Sequence, residues 1–104
     1  MVRYVRWYWP DEDVWAYDEL NDEGWSIRHV EVRRGDGTVT VAAALVELLR
    51  ARDSGGIDAV RSYEQRYGVV PETPFPAEEP DVRVKVTTPA EFEQLWSQGR
   101  SRLG

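Results

Sequence analysis

Four short runs dense in β-branched and aromatic residues fill the first 41 positions, and turn signals too short to hold a helix separate them. Connections this short join only antiparallel neighbours, because a parallel crossover needs a dozen residues or more. Val2–Trp9 reads as the first strand, since such residues fit a pleated, half-buried surface. Pro10-Asp11-Glu12-Asp13 is the first turn, Val14–Leu20 the second strand and Asn21-Asp22-Glu23-Gly24 the second turn. Trp25–Arg33 is the third strand; its apolar positions change parity between Ile27 and Val30, which predicts a bulge or a twist near His29. Gly35-Asp36-Gly37 then turns the chain into Thr38–Val41.

Beyond Val41 the apolar period lengthens. Val41, Leu45, Leu48 and Leu49, with Ala42–Ala44 as strong helix formers, predict a helix that Ser54-Gly55-Gly56 ends. Ile57, Val60, Tyr63 and Tyr67 predict a second helix closed by Gly68. The proline-rich stretch from Glu72 to Pro80 reads as a linker. Val82–Thr87 alternates valines with Arg83 and Lys85, as a half-exposed fifth strand does. Thr88-Pro89-Ala90-Glu91 is a capping box with proline at the first helical position. It opens a third short helix whose Phe92, Leu95 and Trp96 share a face, ending near Gly99 before a frayed tail. The expected fold is α+β: an antiparallel meander in the order β-β-β-β-α-α-β-α, with three short helices on one face.

The chain has 104 residues, one domain's worth at the usual ~100–150, so residues 1–104 are read as a single domain. There is no cysteine and one histidine, which excludes disulfides, thiolate metal sites and multi-histidine metal sites. No apolar stretch approaches a membrane span and the N-terminus lacks a signal-peptide core, so a cytoplasmic protein is expected. A net charge of −6 argues against nucleic acid and anionic membranes as partners.

Tyr4-Val5-Arg6-Trp7, then Tyr17-Asp18-Glu19-Leu20-Asn21-Asp22-Glu23-Gly24-Trp25, then Arg28-His29-Val30-Glu31-Val32 resemble the front half of a family of small bacterial proteins of unknown function. That family opens with a Tyr-rich strand, continues through Y-x-E-L-x-D-[DE] and R-x-V-E, and closes with an E-F-E-x-x-W helix. Glu91-Phe92-Glu93-Gln94-Leu95-Trp96 matches the last motif. The resemblance covers roughly residues 4–37 and 84–96, and the predicted helices at 42–68 replace the family's short linker. It implies a fold and no catalytic residue.

Charge and aromatic rings are concentrated together. From Asp11 to Glu23 there are seven acids and no base. Seven of the twelve aromatics fall in the first 25 residues, so alternation must leave some of them on a face that helices do not cover. Asp11, Glu12, Asp13, Asp18, Asp22 and Glu23 are candidate docking acids for a basic protein partner, since charge steers encounter. Tyr4, Tyr8, Trp15 and Tyr17 are candidate anchors, since aromatic residues dominate interface energetics.

Other chemistries find little support. Asp11-Glu12-Asp13 lacks the D-x-[DN]-x-[DN]-G pattern of a calcium loop, so no metal is assigned. His29 is the one candidate general base near neutral pH, and no serine lies in a nucleophile-elbow context. Gly55-Gly56 reads as a helix break, because no lysine or further glycine completes a phosphate loop. No cofactor and no catalytic residue are expected. The composition points to a non-catalytic acidic module, concretely an immunity-type inhibitor of a basic toxin. The alternative is a small-molecule or peptide-binding protein, with or without accessory catalysis, that uses an aromatic-lined pocket between the sheet and the 42–68 helices. The Val82–Thr87 strand, if at an edge, could pair two copies into a homodimer, although Arg83 and Lys85 would blunt it.

Overall fold

The computed structural model describes residues 2–72 and 85–104. Its elements are β1 (Arg3–Trp9), β2 (Val14–Leu20), β3 (Ser26–Arg33), β4 (Val39–Ala44), α1 (Leu45–Tyr67), β5 (Lys85–Val86) and α2 (Pro89–Leu103). The class is α+β. The five strands form one antiparallel sheet in the order β4-β3-β2-β1-β5. Among the described residues no helix is long and apolar enough to cross a membrane.

The turns work as their residues dictate. Asn21 Oδ1 accepts from the backbone N–H groups of Glu23 and Trp25, both at 3.0 Å, and Gly24 supplies the positive φ that follows. The parity change in β3 is real: Glu19 faces Arg28 while Leu20 faces Ser26, so Ile27 is the extra residue of a bulge. A second irregularity in β4 places Val39 opposite Val32 and Val41 opposite Glu31. The two β4 valines therefore point to opposite faces.

One face carries the core. Phe92 of α2 is fully buried against Tyr17, Val30 and Val39, with Tyr4, Trp15, Val32, Leu95 and Trp96 packed around them. Thr88 Oγ1 accepts from Glu91 N at 3.1 Å, so the predicted cap starts the helix.

Four expectations are corrected. Among the described residues two helices are present, not three. Gly56, at φ 65° and ψ −150°, kinks α1 without ending it, because glycine takes a left-handed conformation that lets helical turns resume on the far side. Ala42–Ala44 belong to β4, not to a helix. Their helix preference yields to packing, because they are buried and Ala42 lies where only a small side chain fits beneath Gly99. The helices do not share a face. While α2 lies on the Tyr17 side, the Gly68 that ends α1 rests on Val41, which points the other way. Finally, α2 continues through Gly99 to Leu103. A Cβ on Gly99 would stand 2.7 Å from Val39 Cγ1 and 2.9 Å from Ala42, so its absence brings helix and sheet into direct contact.

Beyond Gly99, arginines tie the elements together. Arg100 pairs with Glu47 of α1 and donates to the Ala42 carbonyl at 3.0 Å. Arg102 donates to the Val39 carbonyl at 3.3 Å. From α1, the Tyr63 hydroxyl receives the Ala44 N–H at 2.8 Å and donates to the Glu47 carboxylate at 2.7 Å. The expected fifth strand is seen as Lys85–Val86 alongside Arg6 and Val5, at the sheet edge. The part expected at 82–84, and the linker expected at 73–80, lie outside the described residues.

Candidate functional site

The strand register decides what becomes of the acid-rich segment. Asp11, Glu12 and Asp13 sit in the β1–β2 turn, whereas Asp22 and Glu23 sit in the β2–β3 turn. Seven residues of β2 separate the two turns, roughly 20 Å of extended chain. The acids therefore form two groups, one at each end of the sheet.

Three of the seven carboxylates are engaged by partners within the chain, Asp13 at the surface and Asp18 and Glu19 buried. Asp13 is held by the Arg34 guanidinium at 2.5 Å and by the Tyr8 hydroxyl, and both interactions keep its carboxyl below the usual carboxylate range. Glu19 receives Arg28 Nε at 2.7 Å and the Tyr4 hydroxyl at 2.6 Å. The arginine beside it lowers its pKa against the opposing effect of burial, and the Tyr4 hydroxyl is pushed up in return. Asp18 is wholly buried. Asp11, Glu12 and Glu23 are exposed and form no salt bridge among the described residues. Asp22 is exposed as well.

The aromatic candidates divide similarly. Tyr17 is buried at 7% exposure beneath α2, which corrects its assignment as a surface anchor, and burial raises its hydroxyl pKa. Asp18 is corrected on the same ground. Tyr4 packs on Phe92 with ring centroids 5.4 Å apart, and Tyr8 packs on Trp15 at 5.4 Å, with Arg6 over the Trp15 indole at 5.1 Å. All three rings are half-buried. Among the described residues the exposed rings are two that composition alone does not single out, Trp9 at 46% and Trp25 at 38%. Each stands beside one of the acidic turns.

The opposite face of the sheet holds a buried polar chain. Ser26 Oγ donates to Asp18 Oδ1 at 2.6 Å, the same oxygen lies 2.7 Å from His29 Nδ1, and His29 Nε2 lies 2.8 Å from Glu31 Oε2. Burial opposes charge on this ring, but its hydrogen bonds to the two carboxylates outweigh it, and its pKa is pushed up to about 9. His29 is thus an imidazolium at neutral pH, donating from both nitrogens, and has no lone pair for a metal ion or a proton. The wiring also differs from that of a nucleophile triad, since the serine bonds to the aspartate and not to the histidine. Among the described residues, no group of three or more side chains is arranged to hold a metal ion.

Two hollows flank this chain. A recess of about 220 Å³ runs from Trp9 and Glu12 at the first turn to Glu31 and His29, with Val69 and Pro71 along its side. A larger groove of about 400 Å³ lies between the sheet and α1, bordered by Trp25, Leu45, Leu48, Leu49, Val60 and Val70. It occupies the place expected for an aromatic-lined pocket, but its walls are mainly aliphatic. The recess could have been found from the sequence: Trp9, Glu31 and His29 fall on one face once Asp18 is registered against His29. That register depends on the Ile27 bulge, whose position parity alone locates only approximately.

No protein-family model, curated protein or solved structure matches this chain.

Proposed function

We propose that the chain is a non-catalytic binding module for a basic protein, of the immunity type that inactivates a basic toxin by covering it. The observation that carries this reading is the pairing of unspent charge with an exposed indole at each end of β2. Asp11 and Glu12 adjoin Trp9, and Glu23 stands two residues from Trp25. Exposed carboxylates steer a cationic partner into encounter. Large rings that stay accessible give such an encounter its close contacts. The internal acids, by contrast, hold the fold together.

The test is association kinetics against the product of the neighbouring reading frame, at two salt concentrations. Asp11→Lys and Glu23→Lys each raise the formal charge from −6 to −4, since each change adds two. Steering by one end of the sheet predicts a several-fold slower association for the variant at that end, and a smaller difference at high salt. Tight binding whose association rate ignores both substitutions and the salt would remove the docking role of these acids.

A second reading rests on the aliphatic groove. Its volume of about 400 Å³ suits a small apolar ligand or a peptide side chain. A saturable one-to-one fluorescence rise with N-phenyl-1-naphthylamine, abolished by Val60→Asp, would favour it.

A further inference from the structure

We infer that the recess beneath Trp9 is a receptor for one guanidinium, the side chain of an arginine on the basic partner. This deepens the docking reading proposed above and rests on it for the source of the arginine. The recess joins an indole, two carboxylates and a volume of about 220 Å³ in one hollow, which is room for a single extended side chain.

Its walls match that side chain from end to end. Trp9 is 46% exposed and is backed edge-on by Trp7 at 6.0 Å, so its ring is held in place without being covered. A guanidinium stacks on an indole through its planar, weakly hydrated face. Val69 and Pro71 give the methylene stem an apolar side to lie against. Glu12 is exposed at the mouth and joins no salt bridge among the described residues. Among the described residues Glu31 uses only Oε2, on His29, which leaves Oε1 for an incoming donor.

Charge balance gives the same sign. The imidazolium at the inner end is already neutralised by Asp18, which is fully buried and whose second oxygen, Oδ2, has no donor among the described residues. Counting Asp18, Glu31 and Glu12 against His29, the surroundings keep an excess of two negative charges. An anion would meet that excess, whereas a cation relieves it. The guanidinium rests between Trp9 and the Glu12 and Glu31 carboxylates, with His29 fixing the orientation of Glu31 from behind.

The probe is N-acetylarginine methylamide, with N-acetylcitrulline methylamide as the neutral isostere. The readout is the indole N–H resonance of Trp9, assigned from its loss in Trp9→Leu, in a ¹H–¹⁵N spectrum that also reports folding. The expected result is a saturable shift with the arginine compound at millimolar concentration and none with the citrulline compound. Glu12→Gln should weaken binding at least threefold, while Asp58→Asn, an exposed acid on α1, should leave it unchanged. Both sites are on the surface, so the variants keep the fold. A shift of equal size with citrulline, or none with arginine, overturns the inference, as does an unaltered affinity in Glu12→Gln. If Asp11→Lys slows partner association while the arginine probe leaves Trp9 unmoved, the receptor falls and the docking reading stands. An arginine seated in the recess of a chain that associates with no basic protein supports the receptor and overturns the docking reading.

Discussion

Raising the pH above neutrality should weaken the fold through His29, by an amount that follows from its surroundings. The unfolded ring titrates near 6.5, and the folded one keeps its proton to about 9. Between those values the folded state binds the extra proton, so stability falls as pH rises. The contribution is complete below pH 6.5, declines across the interval and is gone above about pH 9. At ~1.4 kcal/mol per pH unit, the interval corresponds to on the order of 3 kcal/mol. That is a large share of the ~5–15 kcal/mol that holds a typical domain together. Tyr4, Tyr17 and Tyr63 are all shifted upward from 10, away from this window, so they do not imitate the effect. The assay is a set of urea unfolding curves at pH 6, 7.5 and 9.5 for the native chain and His29→Gln. The native midpoint should fall steadily, and that of the variant should stay level over the same range. Should the variant fail to fold, the imidazole resonance of the native chain gives the answer alone. A ring that titrates at or below 6.5 would refute the reasoning, as would a native midpoint that ignores pH.

Three packing predictions follow from the α2 interface. Phe92→Ala should cost about 3–5 kcal/mol in urea unfolding, because Phe92 is fully buried at the centre of the core. Trp96→Ala should cost less, since that ring is only half-buried and lies between the Arg28 and Arg100 guanidiniums at 5.0 and 4.4 Å. Equal losses for the two would contradict this ranking. Gly99→Ala should destabilise by about 1–3 kcal/mol through overpacking, despite alanine's better helix preference. A thermal midpoint raised by that substitution would mean that α2 does not press on Val39 and Ala42.

The sheet was legible because turn residues mark its corners unambiguously. Pro10, Gly24 and Gly37 stand at three connections, and alternation between them assigns every β1 and β2 side chain to its face. The helical half was harder to read. Ala42–Ala44 carry the wrong local preference, since burial in the sheet selects them, and for Ala42 the closeness of Gly99, 57 residues along the chain. Gly56 reads as a terminator because a sequence cannot show whether helix resumes in the same direction. For the candidate site, composition locates the acids but not their partners. The seven carboxylates look equivalent until the register brings Arg28, His29 and Arg34 to three of them. Trp9 escapes notice among so many aromatics, and only burial separates it from Tyr17.

The side chains that reach β4 have a consequence for solubility. A terminal strand offers a row of unmet N–H and C=O groups on which another chain can grow. Here Tyr63 takes the N–H of Ala44, and Arg100 and Arg102 take the carbonyls of Ala42 and Val39. Three long side chains thus occupy the template that a stretch reading Val-Thr-Val-Ala-Ala-Ala, without charge or proline, would otherwise present to its copies. The arginines of α2 act as gatekeepers against aggregation although they lie some sixty positions from the strand they guard.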